Sequence, residues 1–165
     1  VMDYAAHVLN LINYITGSRL IDAKGTFMPD IFSKEVDDAV YSTLYLENGL
    51  KGQLSVNWSD DTHRKMTTSL KIEGDRGKLE ADATTLKIYL KEDNVEENLK
   101  KGWNIKYITD LTEQVFFNLR GEEYSSEVDH FIQCIKIGGL NQRSSFESAL
   151  HTDYIINKLI EDANN

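Results

Sequence analysis

The chain has 165 residues, 41% hydrophobic and 27% charged, which is one domain's worth, able to bury about two-thirds of its unfolded surface. Its formal net charge of −9 argues against a sequence-independent nucleic-acid binder, which needs Lys and Arg to displace counterions from phosphates. A single cysteine, Cys134, excludes an internal disulfide and a paired-thiolate zinc site, and fits a reducing cytoplasm.

No apolar run approaches the ~18–20 residues of a membrane span, and no signal peptide is legible. The opening Val1-Met2-Asp3 reads as a cut inside a longer protein. Residues 3 to 16 are predicted as an amphipathic helix ended by Gly17. At about 100° per residue, Val1, Ala5, Val8, Leu9, Ile12 and Ile15 share a broad face, with Asp3, His7, Asn10 and Tyr14 roughly opposite. After a loop around Met28-Pro29-Asp30 the pattern turns to period two over 36–46. Asn48-Gly49 signals a hairpin, and 51–58 returns. Further strands are expected at 66–73, 78–82, 86–91, 104–108 and 114–119.

Two helices are expected to close the chain. The first is capped by Ser126, carries Val128, Phe131, Ile132 and Ile135, and stops at Gly138-Gly139. The second opens on the capping box Ser144-Ser145-Phe146-Glu147 and carries Leu150, Ile155, Ile156, Leu159 and Ile160. This order predicts an α+β fold, an open and mostly antiparallel sheet with helices on one face. A two-residue turn at Asn48-Gly49 would put Tyr41, Thr43, Tyr45, Leu54, Val56 and Trp58 on one side of the hairpin. Val40, Leu44, Leu46, Gln53, Ser55 and Asn57 would take the other, unless a bulge at Gly52 shifts the register. With neither side polar, the open face is expected to be an oligomer interface of a homodimer or homotetramer.

Dinucleotide, phosphate-loop, nucleophile-elbow and zinc-protease motifs are all absent from the sequence. Glu127 and His130 have ExxH spacing but no second such pair, so a di-metal site is not expected. Asp60, Asp61 and His63 read as a solvated turn, and Cys134 as a packed thiol with no identifiable base. Asp3 and His7 remain, spaced i, i+4 on one helix face. A carboxylate there can orient an imidazole, and imidazole suits the removal of a hydroxyl proton near neutral pH. On spacing alone the pair reads first as an ordinary solvated helix face.

The stretch Asp3-Tyr4-Ala5-Ala6-His7-Val8-Leu9-Asn10 resembles the D-x-x-x-H-x-x-D motif of the glucose–fructose oxidoreductase/inositol dehydrogenase/MocA family. In that family the motif opens the C-terminal domain. The resemblance continues through Asp38-Ala39-Val40, Glu47 to Gly52, Val56 to Ser59 and the turn from Ile72 to Leu79. It closes with Glu127 to Phe131 and the final helix, so it covers nearly the whole chain in order. It implies an NAD(P)-dependent oxidoreductase acting on a hydroxyl of a sugar or nucleotide-sugar. His7 would be the proton-transferring histidine, Asp3 its partner, and Asn10 a substrate contact where the family usually has Asp.

The segment Trp58-Ser59-Asp60 with Arg64, and Gly121-Glu122-Glu123, is most similar to members acting in bacterial surface-polysaccharide and nucleotide-sugar pathways. This makes Arg64 a second substrate contact. The family's E-K-P lysine and Gly-rich cofactor loop, both in its dinucleotide domain, are absent here. The resemblance therefore implies that NAD or NADP is held mainly by a domain outside this chain, and that the chain alone is inactive. The rival expectation is a non-catalytic dimerisation or ligand-binding domain on the same fold. Codons upstream of Val1 that encode a GxGxxG unit would decide for the enzyme.

Overall fold

A computed structural model describes residues 1–33, 35–62, 67–111, 117, 122–138 and 145–165. The chain divides into two compact units, Val1–Thr62 with Gly139–Asn165, and His63–Gly138. The first unit holds helix α1 (Met2–Thr16), strands β1 (Leu20–Phe27), β2 (Ala39–Leu46) and β3 (Lys51–Asn57), and helix α4 (Phe146–Ala163). The second holds strands β4 (Leu70–Glu73), β5 (Gly77–Ala81), β6 (Thr85–Leu90) and β7 (Gly102–Tyr107), with the short α2 (Ile108–Leu111) and α3 (Glu122–Lys136).

The fold is α+β with open antiparallel sheets, as the order of elements predicts. Among the described residues there are two such sheets, β1-β2-β3 and β4-β5-β6-β7, where the sequence pattern suggested one. In the first unit α4 packs on β1, and α1 packs on α4. Ala5 and Leu9 of α1, Leu20, Val40, Leu44 and Leu54 of the sheet, and Ile155 and Leu159 of α4 form its buried core. Ile15, expected on the apolar face of α1, is instead 44% exposed. Gly17 ends α1 with φ +59, a left-handed conformation that costs glycine least.

The hairpin register differs from the expected one by one residue. The Leu46 carbonyl accepts from Gly49 N–H, and Leu46 N–H donates to the Leu50 carbonyl, so the loop has three residues, with Gly49 at φ +86. The extra residue pairs Val40 with Val56 and Ser42 with Leu54. Leu54 and Val56 therefore join Val40, Leu44 and Leu46 on the face packed into the core. The open face carries Tyr41, Thr43 and Tyr45 beside Lys51, Gln53, Ser55 and Asn57. The shift arises at the turn and not at Gly52, and it removes two apolar residues from the face expected to be an interface.

Strand β1 was missed in the sequence because its pairing shifts between Leu20 and Asp22 and again between Lys24 and Phe27, which breaks the alternation. Helix α3 begins at Glu122, four residues before the expected cap Ser126; the apolar spacing marks where its apolar face starts, not where the helix starts. Ser145, not Ser144, caps α4, its hydroxyl accepting from Ser148 N–H. Glu147 is thereby displaced from the capping box and pairs with Arg19 at 3.1 Å. The strand expected at 114–119 lies, except for Phe117, outside the described residues.

In the second unit the register sets Leu70, Ile72, Leu79, Leu86, Ile88 and Leu90 on one face of the sheet. None of the described residues of β4 to β7 is buried. Asp82 turns the chain from β5 into β6. Its carboxylate accepts from the backbone and hydroxyls of Thr84 and Thr85, which hold it well below the usual carboxylate range.

Candidate functional site

Asp3 and His7 both stand exposed on α1, one helical turn apart. Asp3 lies in the first turn, where a carboxylate is favoured by the positive end of the helix dipole. Among the described residues neither makes an ion pair or hydrogen bond. The expected orientation of the imidazole by the carboxylate is thus a matter of a shared face, with no contact. An exposed pair of this kind is worth little in water, and gains strength only when something covers it and lowers the local dielectric.

Between them sits Tyr4, whose ring meets the indole of Trp58 edge to face, with centroids 4.8 Å apart and planes at 61°. Trp58 follows β3, and its backbone N–H donates to the Asp38 carbonyl at 2.8 Å. Asp38 is itself buried. Its carboxylate accepts from the N–H groups of Phe32 and Ser33 at 2.6 and 2.8 Å, which hold its pKa below the usual range. One residue thus closes the loop before β2 and fixes the backbone of the tryptophan. The sequence reading passed over Tyr4 and Trp58 as site residues, since nothing in a helix pattern or a strand end says that two aromatics meet.

Asn10 is turned toward α4. Its Nδ2 donates to Ser148 Oγ at 2.5 Å and to Thr152 Oγ1 at 3.3 Å, fastening the two helices together. Its carbonyl oxygen is the atom left for any further contact. Arg64 and His63 lie outside the described residues. Asp60 caps the turn after Trp58 by accepting from Thr62 N–H at 3.0 Å. Cys134 is buried, and His130 Nε2 lies 3.5 Å from its Sγ, one turn away on α3. A basic neighbour is therefore present that the sequence reading did not identify.

A cleft of about 750 Å³ opens in the second unit beneath the turn at Gly74–Gly77 and the segment after β6. Arg76, Lys78, Leu79, Ile88 and Asp93 are among its lining residues. Among the described residues no helix is long and apolar enough to cross a membrane.

The model of the GFO/IDH/MocA C-terminal domain matches residues 1–80, which contain α1, the first sheet, Trp58 and the start of the second sheet. Residues 1–80 belong to the GFO/IDH/MocA C-terminal domain family. No curated protein matches the chain by sequence. Solved structures carry the likeness of fold across the remainder. An oxidoreductase domain protein from Kribbella flavida superposes with a TM-score of 0.76 at 20% identity, over 98% of this chain and 47% of its own. A levoglucosan dehydrogenase in complex with NADH and levoglucosan gives 0.76 at 18% identity, over 98% and 47%. The WlbA dehydrogenase from Bordetella pertussis, in complex with NADH and UDP-GlcNAcA, gives 0.63 at 15% identity, over 98% and 43%. The chain thus spans a little under half the length of those structures.

Proposed function

We propose that this chain is the substrate-binding half of an NAD(P)-dependent dehydrogenase that oxidises or forms a hydroxyl of a sugar or nucleotide-sugar. The observation that carries the reading is the exposed Asp3–His7 face of α1 at the head of a GFO/IDH/MocA domain. The solved complexes with NADH and with levoglucosan or UDP-GlcNAcA support it as structural relatives. In oxidation His7 takes the hydroxyl proton while hydride leaves the same carbon. Asp3 stabilises the imidazolium so formed, an interaction that strengthens once substrate excludes water.

The chain offers no Gly-rich cradle for a dinucleotide, so its own residues do not fit the cofactor. NAD or NADP, the hydride acceptor, is assigned to a dinucleotide-binding domain outside these residues. Asn10 contributes its carbonyl oxygen to the substrate, and Arg64 a guanidinium suited to the phosphates of a nucleotide-sugar. The reading includes a cytoplasmic setting, where the lone thiol stays reduced, and a homodimer or homotetramer through an open sheet face. Polysaccharide biosynthesis is its biological context. The four-stranded sheet of the second unit now suits that interface better than the hairpin, whose outer face is largely polar.

The second reading, a non-catalytic dimerisation or ligand-binding domain, is favoured by one observation: among the described residues Asp3 and His7 form no hydrogen bond or ion pair. The two separate in one experiment. The protein with its dinucleotide domain is incubated with D-glucose, levoglucosan and UDP-N-acetylglucosamine, each with NAD⁺ and with NADP⁺, and reduced nicotinamide is followed by absorbance. The enzyme reading expects turnover of at least one pair. Binding of a sugar with no turnover of any would establish the alternative.

A further inference from the structure

Trp58 is large, apolar and 61% exposed, and it is also held. Its backbone is tied to Asp38, and its ring stands edge to face against Tyr4. Tyr4 follows Asp3 directly and precedes His7 by three residues, about 4.5 Å along the helix axis and some 60° around it. An aromatic that is fixed and still presents surface costs little conformational entropy when something stacks on it. Its chain neighbours Asn57, Ser59 and Asp60 are polar, with Asn57 and Asp60 exposed, so the indole surface left free by Tyr4 is followed and preceded by hydrogen-bonding groups. A sugar ring in the pyranose form has this complementary chemistry. It is polar around its edge, with C–H groups on its faces that meet the negative face of an aromatic quadrupole.

We propose that Trp58 is a specificity-determining residue whose exposed indole takes the C–H face of the substrate's pyranose ring beside His7. This rests on the sugar dehydrogenase reading above and adds to it a preference for cyclic sugars over open-chain polyols. Tyr4 acts as a positioning residue, because it touches the indole and fixes its angle.

The test uses the protein with its dinucleotide domain, carrying His7→Ala so that binding is read without turnover. Titration calorimetry compares this protein with its Trp58→Ala and Trp58→Phe derivatives, using D-glucose, levoglucosan and UDP-N-acetylglucosamine as pyranoses and D-sorbitol as the open-chain control. The proposal expects Trp58→Ala to weaken at least one of the pyranoses about tenfold, Trp58→Phe to restore most of it, and sorbitol affinity to be the same in all three. It is overturned if no pyranose binds, or if pyranose and sorbitol weaken together. It is also overturned if Trp58→Ala lowers the melting temperature while leaving pyranose affinity unchanged, as cover for another domain would require. Because nothing here depends on turnover, an incorrect assignment of His7 as the base would leave the binding result standing.

Discussion

Asp38 does two jobs with different atoms, closing the loop at Phe32 and Ser33 with its carboxylate and holding Trp58 N–H with its carbonyl. Only the first depends on charge. Two backbone donors favour the ionised form, so the folded pKa lies below that of the unfolded chain. The stabilisation is therefore fully present above about pH 4, the unfolded carboxylate range, and is lost as pH falls through the lower folded value. Asp38→Asn keeps the carbonyl but leaves a weaker, uncharged acceptor. Thermal melts at pH 7 are expected to show a lower Tm for the variant, and the gap should narrow on acidification below pH 4. A gap that is constant with pH would mean that the carboxylate's charge contributes nothing to the loop.

Two glycines separate backbone need from mere presence among the strands. A Cβ on Gly77 would lie 2.0 Å from the Tyr89 carbonyl oxygen, a backbone atom of the paired strand β6 that cannot turn aside. Gly77→Ala is expected to destabilise β5–β6 by about 1–3 kcal/mol, read as faster amide exchange in those strands. A Cβ on Gly52 meets nothing within 4 Å, and Gly52→Ala should be neutral or stabilise by about 0.5–1 kcal/mol. Much at this scale was legible in the sequence: α1 to within a residue, the return strand β3, β5 to β7, and the helix that became α4. What was not legible depended on geometry that residue types leave open. Asn48-Gly49 is compatible with two- and three-residue loops, both with Gly49 at positive φ, and the register is decided by the Leu46–Leu50 hydrogen bond and by Asn48 staying out of the left-handed region. Asp3 and His7 were readable as a shared face from their spacing. The Tyr4–Trp58 contact was not, because it joins residues far apart in the chain, and neither was the engagement of Asn10 by α4.

For the whole molecule, the face of the second sheet on which β5 and β6 place Leu79, Leu86, Ile88 and Leu90, none of them buried, is the one proposed for assembly. Sedimentation of the protein with its dinucleotide domain is expected to show a dimer or tetramer, and Ile88→Arg to shift it toward monomer. An assembly unmoved by Ile88→Arg would place the interface elsewhere. The central claim, that His7 accepts the substrate's proton, is tested most directly by kcat across pH for the parent, Asp3→Asn and His7→Ala. Loss of a positioned base should lower kcat about 10²–10⁴-fold in His7→Ala and remove the pH dependence that the histidine supplies. Cofactor affinity should stay near the parental value, because no residue of this chain is assigned to the dinucleotide. Asp3→Asn should cost less, since it removes charge support and keeps the base. His7→Ala turning over its sugar at the parental rate from acidic to alkaline pH would contradict the claim and return Asp3 and His7 to an ordinary solvated helix face.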